Sequence, residues 1–124
     1  MDIQTRGGGG DMTYKYLSAT GQSAGSLNLT DTHWDTSKAQ ISYISVIVAS
    51  GTVNDFDIAV YEKDTFLSAD LRYSSNGLNS SDNWRDNLIW IYTDKDGTNE
   101  IHLKITENSG TGTYDIHVRG VKLV

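Results

Sequence analysis

No cysteine occurs in the 124 residues, which excludes disulfides, thiolate metal sites and a cysteine nucleophile. Proline is absent too. Proline commonly guards exposed strand edges, so the edges here need another protector, and association with other copies is one candidate. Basic residues are the minority: 10 Lys and Arg stand against 16 Asp and Glu, a net charge of −6. That balance disfavours phosphate backbones and anionic membranes, so neither nucleic acid nor membrane is expected as a partner. No apolar run approaches the ~20 residues that cross a bilayer. The opening Met1-Asp2-Ile3-Gln4-Thr5-Arg6 lacks a basic region leading into an apolar stretch, so no secretory signal is expected.

What the chain does have is period-two alternation. Runs with this pattern recur between turn-forming clusters, and no window shows helical periodicity. Strands are expected at Met12–Leu17, Ser26–Leu29, Ile41–Ala49, Asp55–Glu62, Phe66–Tyr73, Asn87–Thr93, Asn99–Thr106 and Thr113–Val124. The expectation is an all-β, antiparallel two-sheet β-sandwich over residues 12–124, jelly-roll-like in its connections. Residues 1–11 precede it with Gly7, Gly8, Gly9 and Gly10. Such a run nucleates no regular element, so it reads as a flexible N-terminal arm. The arm is either a plain tail or a segment that orders against a neighbouring subunit.

The C-terminal strands invite a detailed register. Asp96-Gly97 has the composition of a tight hairpin turn and would pair Tyr92 with Ile101, Trp90 with Leu103 and Leu88 with Ile105. A second turn at Ser109-Gly110 would pair Ile101 with Val118, Leu103 with Ile116 and Ile105 with Tyr114. Its outer face would then set Glu100 opposite Arg119, His102 opposite His117 and Lys104 opposite Asp115. Two opposite-charge pairs, each worth ~0.2–1 kcal/mol, favour that register. Past Val118 the alternation breaks, and a bulge is expected at Arg119-Gly120.

Two strands look apolar on both faces. Ile89 and Ile91 would lie opposite Leu88, Trp90 and Tyr92. Tyr43 and Ile47 would lie opposite Ile44, Val46 and Val48. Either another part of the chain covers these outer residues or a partner protein does. Phe56, Ile58 and Val60 are expected inside an ordinary half-buried strand.

Motifs for chemistry are few. His102 and His117 side by side would give two ligands, too few for a closed zinc site. Asp55 and Asp57 project outward and are candidates for calcium, but the spacing around Gly97 does not fit an EF-hand loop. No nucleophile elbow, zinc-protease motif or phosphate loop occurs. No catalytic residue, metal or cofactor is therefore expected. The long polar loop Ser74–Asn83 ends at Trp84-Arg85. Trp84, Arg85, Trp34 and Tyr73 are candidates for stacking and bonding a glycan, although either tryptophan would equally serve to plug one end of a sandwich. Asn28-Leu29-Thr30 and Asn79-Ser80-Ser81 match glycosylation sequons, which without a signal are read as chance.

The Gly7–Gly10 arm, the start without a signal and the strands ending in Tyr114-Asp115-Ile116-His117-Val118-Arg119 carry a resemblance. In architecture the chain resembles small jelly-roll accessory proteins of bacteriophage virions, of the capsid-decoration (cement) or tail-surface type. The segment Asp55–Val118 also looks like β-sandwich modules appended to secreted peptidases and glycoside hydrolases. The first resemblance implies a non-enzymatic structural protein of the virion, assembled in the host cytoplasm, that self-associates and binds a capsid or tail protein. The arm, Tyr43, Ile47, Ile89 and Ile91 would then be the contact residues. The second implies a stand-alone carbohydrate-binding module. Both concern fold more than function.

Overall fold

The computed structural model describes residues 13–36, 39–80, 85–86, 91–92 and 98–122. Its elements are strands β1 (Thr13–Ser23), β2 (Gly25–Leu29), β3 (Ala39–Tyr61), β4 (Leu71–Leu78), β5 (Arg85–Asp86), β6 (Ile91–Tyr92) and β7 (Ile101–Lys122), with a short 3-10 turn at Ser68–Asp70. The domain is all-β and antiparallel. Hydrogen bonds join the strands in the order β1-β7-β3-β4, with β2 also on β7, and β5 and β6 also on β3. These ladders link the described strands into one sheet. They do not by themselves divide it into the two sheets, or trace the jelly-roll path, expected from the sequence.

The sheet is built on two long strands. β3 and β7 pair from Ala39↔Lys122 to Tyr61↔His102. Segments that read as breaks, Ser50–Asn54 and Glu107–Gly112, face each other within this ladder: Gly51 pairs with Gly112, Thr52 with Thr111 and Val53 with Gly110. Gly51 and Gly110 have φ of 83° and 97°. A Cβ on Gly51 would collide with the Thr111 carbonyl oxygen, and one on Gly110 with that of Thr52. Glycine there lets two backbones close up and bend together. Glu107 braces the bend, since its Oε2 accepts the Gly112 N–H (3.0 Å) and the buried Tyr114 hydroxyl (2.9 Å). Burial first, and the Glu107 carboxylate second, push the Tyr114 phenol far above its ordinary pKa.

The bend folds the sheet over. Ser23 pairs with Thr113 and Gly25 with Ile105. As extended strand, Ile105 and Thr113 would lie about 26 Å apart. Two residues of chain and two inter-strand steps span at most ~17 Å. β7 therefore doubles back. Leu29 pairs with Ile101, yet just beyond it Asp31 takes the Ser18 N–H (2.9 Å) and the His33 carbonyl takes the Tyr16 N–H (3.2 Å). The second half of the sheet (β2, the start of β7, the end of β3, β4) thus faces the first half (β1, the end of β7, the start of β3). Leu17, Ile41, Ile44, Val46, Ile116 and Val118 from the first half share one core with Leu29, Phe56, Ile58, Val60, Leu103 and Ile105 from the second. Each such side chain contributes roughly 1.5–3 kcal/mol by leaving water. Phe56, Ile58 and Val60 are buried as expected.

The C-terminal register differs from the expected one. There is no hairpin at Ser109-Gly110, because those residues sit in the continuous β3–β7 ladder. Arg119 pairs with Tyr43 and Tyr16, Asp115 with Ile47, and Lys104 with Ala59 and Ser26. The Glu100–Arg119 and Lys104–Asp115 pairs do not form. Ile91–Tyr92 pairs with Gln40–Ile41 in place of Ile101; Asp96-Gly97, Leu88 and Trp90 lie outside the described residues. The irregularity near Gly120 belongs to the partner strand. Ile41 pairs with Gly120 and Tyr43 with Arg119, so Ser42 is the extra residue and lets Ile41 and Ile44 both turn inward. Gly120 is needed for another reason: its Cβ would come within 3.0 Å of the Trp34 ring and closer still to the Gln40 carbonyl.

Candidate functional site

In β1, Tyr14, Tyr16 and Ser18 alternate with the buried Leu17, so they project from the outer face of the first half. β7 adds His117 and Arg119 between inward Ile116, Val118 and Gly120. β3 adds Tyr43, Ser45 and Ile47 around inward Ile44 and Val46. Register aligns them in two rows, Tyr16–Arg119–Tyr43 and Ser18–His117–Ser45. Together they line a groove of about 530 Å³. That lies within the ~300–1,000 Å³ range of small-ligand sites.

Each row has its own fixing contacts. The Arg119 guanidinium lies 4.5 Å above the centre of the Tyr43 ring, an arrangement that orients the cation without a carboxylate. Ser18 Oγ and His117 Nδ1 are 2.9 Å apart. A serine and a histidine in contact are two parts of a nucleophilic triad, but the neighbouring Asp115 spends Oδ1 on the Gly21 N–H (2.9 Å). The groove rim comes from the loop after β2. Its Asp31 carboxylate takes the N–H groups of Ser18 and His33 and contacts His33 Nδ1 at 2.8 Å. Those bonds, the His33 backbone N–H foremost, hold the Asp31 carboxyl below its usual pKa. His33, so held, stacks on Tyr16 with centroids 4.2 Å apart. Lys15 pairs with Asp35 at 2.6 Å beside it, and that hydrogen bond lowers the Asp35 pKa.

The residues singled out from the sequence meet different fates. Tyr43 and Ile47 are half-buried in the groove wall, on the face away from the core. Trp34 is 1% exposed and closes the core beside Gly120, so its ring offers no surface to a sugar; it is the plug. Tyr73 is half-buried against the core, paired with Val60, and likewise turned away from the groove. The backbone of Arg85 pairs with Ser45, next to the second row, and that of Ile91 pairs with Ile41. Gly7, Gly8, Gly9, Gly10, Trp84 and Ile89 lie outside the described residues.

The histidines do not meet. His102 is buried, bonded through Nδ1 to Asn28 Oδ1 at 2.7 Å and edged by Phe66, whereas His117 is in the groove. Asp57 accepts the Gly77 N–H (3.0 Å), and Asp55 accepts from the Asn108 side chain (3.3 Å). Among the described residues no three His, Asp or Glu side chains cluster as a metal site would require.

Tyr16, Ser18, His33 and Ser45 were not anticipated as site residues, and His117 and Arg119 were assigned to the wrong pairs. One signal was readable: Tyr14 and Tyr16 alternate with Leu17 and so fall on its opposite face. No known family model matches the chain, and no curated protein is significantly similar to it.

Proposed function

We propose that the chain is a non-enzymatic accessory protein of a virus particle, assembled in the host cytoplasm, that self-associates and docks on a larger capsid or tail lattice. One observation carries this reading. On the face away from the core, Tyr14 and Tyr16 are 77% and 48% exposed, beside the half-covered Tyr43 and Ile47 and the exposed Arg119. Tyrosine and arginine around a partly apolar centre is the composition of protein contact surfaces. Light scattering on the purified protein gives a mass above that of the monomer, and Tyr16→Ala lowers it. A monodisperse monomer with no affinity for empty shells contradicts the proposal.

A second reading, a stand-alone carbohydrate-binding module, is favoured by the groove itself. Its rings, hydroxyls and single guanidinium form the mixed apolar and polar lining that small-ligand sites use. In this reading the stacking ring is Tyr16, in place of Trp34 and Tyr73, while the Tyr43 ring carries Arg119.

A further inference from the structure

We infer that the groove is a binding site for a carboxylate-bearing sugar, with Arg119 as the anion contact. The inference rests on the carbohydrate reading. It starts from a contrast between two arginines. Arg72 spends its donors within the fold, on Glu62 Oε2 (2.8 Å) and on the carbonyls of Leu71 (2.9 Å) and Ala69 (3.2 Å). Arg119 instead has its guanidinium carbon 4.5 Å from the centre of the Tyr43 ring. A guanidinium engaged by a ring and not by a carboxylate keeps N–H donors that match the two oxygens of a carboxylate.

The nearby acids are already engaged. Asp31 is bonded to Ser18 and His33, Asp115 to Gly21, and Asp35 to Lys15. Among the described residues Lys15 pairs with Asp35, His33 with Asp31 and Arg72 with Glu62, and Arg119 belongs to none of these pairs. The chain's net charge of −6 does not veto an anion. Charges beyond ~8–10 Å are largely screened at physiological ionic strength, so the local balance of Arg119 against Asp115 and Asp31 decides. Around it stand the other elements of sugar recognition. Tyr16 is half exposed and steadied by His33, which leaves a ring to stack a pyranose. Ser18 and His117 lie one row away for hydroxyl groups.

The test is an NMR titration of the ¹⁵N-labelled chain with three probes: glucuronate, glucose and acetate. Glucuronate is expected to shift the Arg119 side chain and the amides of Tyr43, His117 and Arg119, binding about tenfold or more tighter than glucose. Acetate alone is expected to bind far more weakly than glucuronate. R119Q removes the preference while leaving the amide spectrum elsewhere unchanged, and R119K restores part of it. Equal affinity for glucose and glucuronate overturns the acidic-sugar inference and leaves the carbohydrate reading standing. Acetate binding as tightly as glucuronate removes the sugar from the inference. No response to either sugar overturns both.

Discussion

The two halves of the folded sheet have similar inner faces and different outer ones, aromatic on the first and aliphatic on the second. Inside, both alternate Ile, Val and Leu with outward residues, and both are sealed. Outside, the second half is covered by its own chain. Glu62 donates its N–H to the Asp70 carbonyl (2.9 Å) and its carboxylate holds Arg72. The loop between them lays Phe66 edge-on to Tyr61 and His102, so the outward His102 is buried. Beyond that loop a hollow of about 280 Å³ mixes the polar Asp57, Ser74, Asn76, Lys104 and Thr106 with Tyr61 and Leu71, and the exposed large apolar side chains of this half are the aliphatic Leu67 and Leu71. On the first half, among the described residues, the loop after β2 lies along the β1 edge and Tyr14 and Tyr16 are exposed. Among the described residues the exposed aromatic rings are on the first half, which points to its outer face as the place for a partner.

The largest test of this contrast is Trp34→Ala, which removes the plug from the loop that frames the groove. Truncating a fully buried tryptophan costs about 3–5 kcal/mol, read as a fall in the urea midpoint at unchanged slope. Tyr73→Ala, half-buried at the edge of the second half, is expected to cost less. Equal losses would mean that the two edges are supported alike and that the rim has no special dependence on Trp34.

A smaller effect separates the rim from the rest by pH. The Asp31 carboxyl titrates below its ordinary value when folded, chiefly through the N–H groups of His33 and Ser18. A depressed carboxylate stabilises the fold above its unfolded pKa, near 3.9, and that contribution fades as pH falls through the folded value. Asp31→Asn should therefore lower Tm above the unfolded carboxylate pKa, with the two proteins converging as pH falls through the folded value. A constant offset in Tm at every pH would show that the carboxylate charge is not what holds the rim.

The all-β class, the inward set Phe56, Ile58 and Val60, and the two-sided apolar character around Tyr43 and Ile47 were legible because they depend on side-chain period alone. Register was not legible. Ser109-Gly110 suits a turn, but a glycine with positive φ also suits a bend in a continuing strand. Only the facing Ser50–Asn54 segment, 50–60 residues away in sequence, decides between them. The cross-strand charge pairs that seemed to confirm the hairpin are worth ~0.2–1 kcal/mol each. That is small beside the burial of Ile101, Leu103 and Ile105 across the fold. Trp34 was ambiguous for a related reason. Nothing local shows that Gly120, distant in sequence, leaves room for its ring.

Cross-strand nuclear Overhauser contacts test the central claim most directly, because the groove exists only if β3 and β7 run on as one bent ladder. Contacts are expected from Arg119 to both Tyr16 and Tyr43, and from His117 to both Ser18 and Ser45. Contacts joining Glu100 to Arg119 and Lys104 to Asp115 would contradict that claim, since that hairpin would dismantle both rows of the groove.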